Sequence, residues 1–438
     1  MTIATKSKSV RAPAGPDRGV LSSTHLKAAF WALGGILIAV GAWAWIDRWV
    51  NADKNVDYGS VVPWGLWVAM YIYFIGLSAG AFLVSSLVYV FRIRRFESIG
   101  RIALFTAVIT LVLALLSISA DLGHTFRAWH VLVYPNFKSP MAWMIWLYAA
   151  YFVILLLELW FVMRHDLVVG ARENSGFRSS LYRLLVFGSK EDSEAVRKSD
   201  MQIVQILAII GVPVAIMFHG GVGSLFGVVS SRPAWHGGLF PILFLVSALA
   251  SGGALLVVVS AIFQDGLRRN RDTILALGTL VLGLLLLDTL FLVSETLVGF
   301  YGNAPERIEN LELIYTGPYW YVFWFWQLGI GTLIPIALLA LPTRRDPRLV
   351  TLACLLIAVG FLGVRLNIVM PGLATEQIEG LTAAFASERV STDYFPSVME
   401  WLFSAGIVGI GLILFGIIEW LLPKSTSNVA EEVTHGEA

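Results

Sequence analysis

Cysteine is almost absent: the 438-residue chain holds one, Cys354. That excludes a disulfide framework, a Cys-ligated iron–sulfur cluster and a Cys-rich metal site within this chain. Redox groups of those kinds would have to sit on a partner. Charge is scarce as well. Only 14% of the residues are charged and 57% are hydrophobic, whereas soluble chains carry about a quarter charged residues, so a soluble domain of this size is excluded. A net charge of +1 gives no bulk attraction for nucleic acid. No small-residue cleavage site follows the first apolar run, so residues 1–25 read as a cytoplasmic tail before an uncleaved helix rather than as a signal peptide.

What the chain does have is long uncharged runs. They fall at about 26–46, 61–91, 101–121, 140–163, 201–219, 238–264, 273–296, 318–342, 348–370 and 397–422, each near or above the roughly 20 residues that cross a bilayer as a helix. The fold class is therefore an all-α polytopic membrane protein with ten transmembrane helices. The longest run, 61–91, is expected to tilt or to project beyond the membrane.

Lys and Arg set the orientation. Lys6, Lys8, Arg11, Arg18 and Lys27 precede the first run. Arg92, Arg94, Arg95 and Arg101 follow the second, and Arg164, Arg172, Arg178, Arg183, Lys190, Arg197 and Lys198 the fourth. Arg268, Arg269 and Arg271 follow the sixth, and Arg344, Arg345 and Arg348 the eighth. This alternation puts both termini in the cytoplasm. The opposite loops are rich in Trp, Tyr, Pro and Gly, which reads as an interfacial aromatic belt or as a docking face for a partner. The charge mix from Lys190 to Asp200 reads as a solvated surface.

The chain also repeats. Ser78-Ala79-Gly80-Ala81 corresponds to Ser251-Gly252-Gly253-Ala254, and Ser119-Ala120-Asp121 to Val293-Ser294-Glu295; Pro140 and Pro318 open the following helices. Helices 2–5 and 6–9 thus read as two four-helix bundles of the same orientation. The expected division is tail 1–25, peripheral helix 1 and outer loop 26–60, first unit 61–237, second unit 238–396, and peripheral helix 10 with its tail 397–438. The small-residue clusters suit close packing within each unit.

Ionisable residues at membrane depth are costly and need a reason. Most lie in the outer half: Asp121, His124, His219, Asp288, Glu295, Arg365 and Glu400, with Glu158 nearer the cytoplasm. Asp121 and His124 are spaced i, i+3 and share a helix face if the helix continues that far. With His219 they could line a pocket walled by Trp64, Trp67 and Tyr71. A quinol oxygen needs an imidazole or hydroxyl partner, and a carboxylate can carry the proton onward. The competing reading has Asp121 capping its helix or pairing with Arg127, and His124 and His130 at the interface. Asp288, Glu295 and Arg365 read either as a proton path or as mutual neutralisation, and Glu400 as snorkelling to the interface. Haem is not expected, since His124 and His219 are the one plausible couple and no second histidine accompanies His165.

Three stretches, VPWGLWVAMYIYFIGLSAGAFLVSSLVYVF (Val62–Phe91), ADLGHTFRAW (Ala120–Trp129) and YPNFKSPMAWMIWLY (Tyr134–Tyr148), resemble the NrfD/PsrC-like membrane subunits of polysulfide reductase and of related molybdoenzyme, hydrogenase and alternative complex III assemblies. The layout is similar to the ten-helix branch of that family. The resemblance implies a subunit of a respiratory oxidoreductase complex in a prokaryotic inner membrane. It implies menaquinone or ubiquinone bound near the outer face of the first unit, at Asp121, His124 and His219. It also implies no haem, iron–sulfur cluster or metal in this chain, an extracytoplasmic ferredoxin-like iron–sulfur subunit, and a catalytic subunit that is often a molybdopterin enzyme. Some such subunits are thought to move protons through the second unit, which here concerns Asp288 and Glu295. Two other classes stay open on the residues alone: a secondary transporter, and a passive membrane anchor.

Overall fold

A computed structural model describes residues 23–173, 175–189, 193–263, 267, 270–378, 380–384, 387 and 390–421. The basic tail with Lys6, Lys8, Arg11 and Arg18, together with Lys190, Arg268, Arg269 and the C-terminal tail beyond 421, lies outside the described residues. Among the described residues, ten helices are long and apolar enough to cross a membrane. They are α1 (Ser23–Asn51), α2 (Leu66–Tyr89), α3 (Glu97–Asp121), α4 (Pro140–Glu173), α5 (Glu194–Gly227), α6 (Phe240–Ile262), α7 (Arg271–Tyr301), α8 (Val322–Ala340), α9 (Pro347–Leu373) and α10 (Val398–Leu421). No strand occurs among the described residues.

Two boundaries depart from the sequence reading. The second helix is not the longest. It begins at Leu66, because Pro63 biases the residue before it away from helix, and it ends at Tyr89, after which Arg92 takes a positive φ of 52°. The longest are α4 and α5, 34 residues each. Both run on past the apolar stretch at the basic end, where Arg164 pairs with Asp200 at 2.7 Å and Arg101 with Asp166 at 2.5 Å. Within the 164–200 segment a helix at Phe177–Leu185 also packs Tyr182 and Val186 against Met163, Leu167 and Val168, so this piece has a small core of its own, while 193–199 stays mainly exposed.

In α8, Val322–Leu333 is a π-helix. Pro335, two residues beyond, has no N–H to donate and crowds the carbonyl four residues back; the wider turn accommodates it, and Thr332 Oγ1 donates to the Gln327 carbonyl at 3.0 Å. In α5, by contrast, the helix passes Pro213 without interruption.

Helix α2 packs against α3 and α5, and α4 packs against α3 and α5; α6 packs against α7 and α9, and α9 against α8. Helices α1 and α10 pair with each other and lean on α3 through α10. The densest link between the two sets is α2 on α6. There the small-residue clusters do something other than expected. A Cβ built on Gly252 would lie 2.6 Å from Gly80 Cα, and one on Gly80 would run into the Ala248 carbonyl oxygen. The clusters therefore meet each other across the α2–α6 contact rather than serving only within each set. The basic loops gather at one end of the molecule: Arg95 Nη2 donates to the Asp272 carbonyl and Arg271 Nη2 to the Arg345 carbonyl, both at 3.2 Å.

Gly80→Ala should lower the melting temperature of the detergent-solubilised protein. Overpacking costs about 1–3 kcal/mol, more than the roughly 1 kcal/mol that alanine gains over glycine in a helix. Gly283→Ala, where a Cβ meets nothing within 4 Å, should not lower it; equal effects of the two substitutions would refute the packing assignment.

Candidate functional site

Asp121 is the last residue of α3, and Leu122 turns extended with ψ 117°. The helix therefore stops before His124, which sits exposed in the loop as the residue preceding a one-turn helix at Thr125–Arg127. The shared helix face expected for Asp121 and His124 does not form. The neighbouring loop residues from Leu122 to His130 are exposed throughout. It is Arg48, from α1, and not Arg127 that closes the helix end: its Nε and Nη2 donate to the Ala120 carbonyl at 3.2 and 3.1 Å, a cation placed where the helix dipole favours one. Asp121 Oδ1 is left buried with no hydrogen-bond partner.

Trp67 is buried beside this end with Ala44, Ala120 and Met399. Its indole Nε1 donates to the Glu400 carbonyl at 3.3 Å, and Arg48 lies over its ring at 5.8 Å. Tyr58, edge-on to Trp67, donates to Asp53 at 2.7 Å; burial, then that bond, push its hydroxyl well above its ordinary range. Glu400 does not snorkel. It is 0% exposed, because Tyr394 Oη donates to its Oε1 at 2.6 Å and the Ser397 and Asp57 amides donate to its Oε2. Tyr71 is buried in the main core. Trp64 stacks on Trp235 at 6.0 Å and meets Phe226 edge-on.

His219 keeps different company. It is fully buried in α5, with Nε2 against the Phe244 carbonyl at 2.7 Å and Nδ1 without a partner. Beside it, Arg365 from α9 is 1% exposed, donates to Ser247 Oγ at 2.9 Å and lies 4.7 Å from the Phe244 ring. Gly76 of α2 makes room: a Cβ there would be 3.4 Å from Arg365 Nη2 and 3.6 Å from His219 Cε1. His219 and Arg365 thus meet at the junction of α2, α5, α6 and α9. Among the described residues no group of three or more His, Cys, Asp or Glu is placed to hold a metal ion.

Asp288 and Glu295 come together in a cavity. Seven residues apart, they lie two turns along one face of α7. The space is bounded by α7, by a helix at Pro305–Tyr315, by Phe323 and Gln327 of the π-helix, and by Val364, Asn367 and Ile368 of α9. Glu295 Oε2 accepts from Arg307 Nη2 at 2.5 Å, and Asn367 Nδ2 donates to Gln327 Oε1 at 2.7 Å. Arg365 does not line this cavity, although its charge acts on Asp288. The reading from sequence missed Arg48, Arg307, Gln327 and Asn367. Gln327 and Asn367 were visible as amides inside apolar runs; the two arginines were not, since nothing local ties them to Asp121 and Glu295.

A sequence profile of the family described as polysulphide reductase, NrfD, matches residues 54–377. The chain belongs to this NrfD family. It is 37% identical over 418 residues to a selenate reductase subunit of Mesobacillus selenatarsenatis, covering 94% of this chain and 98% of that protein. It is 30% identical over 381 residues to the Hdr-like menaquinol oxidoreductase integral membrane subunit of Archaeoglobus fulgidus, covering 85% and 87%. It is 24% identical over 327 residues to the protein NrfD of Escherichia coli, covering 71% of this chain and 95% of that one.

Tyr394 both donates to Glu400 and accepts from the Leu66 N–H at 2.8 Å. Tyr394→Phe leaves two buried groups short of a partner and should cost about 1–3 kcal/mol, read as a lower melting temperature. The exposed Tyr134→Phe should cost nothing measurable; a stable Tyr394→Phe protein would show that this network does not hold α10 to α2.

Proposed function

We propose that the chain is the integral membrane subunit of a respiratory oxidoreductase complex, binding a quinol or quinone near the aromatic-rich end. Its electrons are exchanged with an extracytoplasmic ferredoxin-like iron–sulfur subunit that serves a separate catalytic subunit of the molybdopterin class. In this reading the basic end and both termini face the cytoplasm of a prokaryotic cell, and residues 61–237 and 238–396 are the two units. Supporting the reading are relatives whose names include menaquinol oxidoreductase and menaquinone reductase membrane subunits. The observation that carries the site is the Asp121 carboxylate oxygen, buried without a partner beside Trp67 at the end of α3.

Oxidation of a quinol releases two electrons and two protons. Asp121 is the group proposed to take a proton at a buried oxygen. His124, three residues on and exposed, is proposed to pass it to water, since an imidazole can both accept and donate a proton. Trp67 is proposed as the apolar wall at Asp121, and Trp64 and Tyr71, which belong to the main core, as further apolar surface of the first unit. His219 is proposed as a hydrogen-bonding group deeper in the first unit, and Asp288, Glu295 and Arg365 as stations of a proton route in the second. A secondary transporter calls for broken helices at the midplane; α5 passes Pro213 without a break, and α8 widens into a π-helix before Pro335 but continues as one span. A passive anchor gains some support from how completely α2 is buried, and the same experiment separates it.

In the assembled complex, Asp121→Asn should lower quinone-linked turnover by about 10²-fold or more, the usual scale for a lost acid–base group, and His124→Ala by less. Full turnover in both variants, with assembly intact, would leave the chain an anchor at this site.

A further inference from the structure

The cavity of the second unit has the build of a ligand site. Its interior volume is about 130 Å³, well above the roughly 10–15 Å³ that a single water needs. Protein interiors are otherwise close-packed, so a void of this size is not a packing remainder. Its walls are mostly apolar, with Trp235, Phe240 and Phe323 among them. That argues against a simple water vestibule, because ordered water needs several polar partners.

The polar groups come at two depths along α7. Nearer its middle is Asp288; the Asn367–Gln327 amide pair also lines the cavity, with Asn367 Oδ1 buried and unpartnered. Two turns along α7, about 10 Å away at 1.5 Å per residue, is the Glu295–Arg307 ion pair. Arg307, the cation among the lining residues, is held by Glu295. An anionic guest therefore finds no free cation in the wall, whereas a neutral one needs none. A flat neutral ring carrying oxygens on opposite edges fits the aromatic walls and finds donors and acceptors at both depths. Gln327 and Phe323 both come from the π-helix, and such widened turns are frequent where a helix serves a site.

We infer that the second unit has its own binding site for the headgroup of a neutral isoprenoid quinone, in this cavity and apart from the Asp121 end of the first unit. The inference rests on the quinone reading for the class of its ligand, not for its place. It is tested with a photoreactive azidoquinone on the intact, assembled complex, followed by mapping of the labelled peptides. Label is expected within 286–297 or 305–316. Leu292→Trp, which puts an indole into the cavity, should cut that label about tenfold, a shift of about 1.4 kcal/mol in binding, while label at the Asp121 end persists. No label on those peptides in the unaltered complex, or label indifferent to Leu292→Trp in an assembled complex, overturns the inference. Label in the cavity with none at the Asp121 end would uphold it and remove the first-unit site instead.

Discussion

At Gly80 and Gly252 the backbones of α2 and α6 approach so closely that neither position has room for a side chain. Lipid tails are as apolar as leucine, so in a bilayer helices hold together through close packing and polar contacts rather than through hydrophobic burial. This contact joins the two halves of the molecule. One turn along α2, Gly76 leaves the space into which the Arg365 guanidinium and the His219 ring fit. A buried arginine is expensive to desolvate. Ser247, the Phe244 ring and the field of Asp288 offset that cost, and all three depend on α6, α7 and α9 being held where the glycine contact sets them.

The ten spans and the ends to which the basic loops belong were legible in the sequence because both follow from local composition: an apolar run must be long enough, and a basic loop sits beside it. Where runs stop was less legible. Pro63 and Arg92 trim α2, while Arg101, Arg164, Asp166 and Asp200 carry α4 and α5 beyond the apolar stretch by pairing with one another. Those pairings link residues from separate helices, and hydropathy does not report them. The small-residue clusters were read as packing within each unit, whereas Gly80 and Gly252 meet across the α2–α6 contact.

The candidate sites divide along the same line. That Asp121 ends its helix could be read directly, whereas Glu295, expected at a helix end too, lies inside α7, which runs on to Tyr301. What surrounds them could not be read. Arg48 reaches Ala120 across 72 residues, Tyr394 holds Glu400 after bonding Leu66 across 328, and Asn310 donates to Pro371 across 61. Glu400 looked like an acid able to snorkel because its first-turn position in α10 is near an interface. The hydroxyl of Tyr394 and two backbone amides give it hydrogen bonds inside, so it has no need of water. His124 looked like a partner of Asp121 because i, i+3 residues meet on a helix; the helix ends at Asp121, before it reaches His124.

Asp121 and Glu295 occupy matching places in the repeat, and the structure gives them opposite surroundings. In the first half, Arg48 spends its donors on the Ala120 carbonyl and on Asp53, so the carboxylate next to it keeps an oxygen without a partner. In the second half, α7 continues to Tyr301 and the following helix returns Arg307 directly onto Glu295. An unpartnered buried carboxylate gains most by binding a proton; one held by a guanidinium must first give up a charge-assisted bond. That difference is why the proposed chemistry is assigned to Asp121, whose oxygen has no partner, and why Asp288 rather than the paired Glu295 is the acid of interest in the cavity.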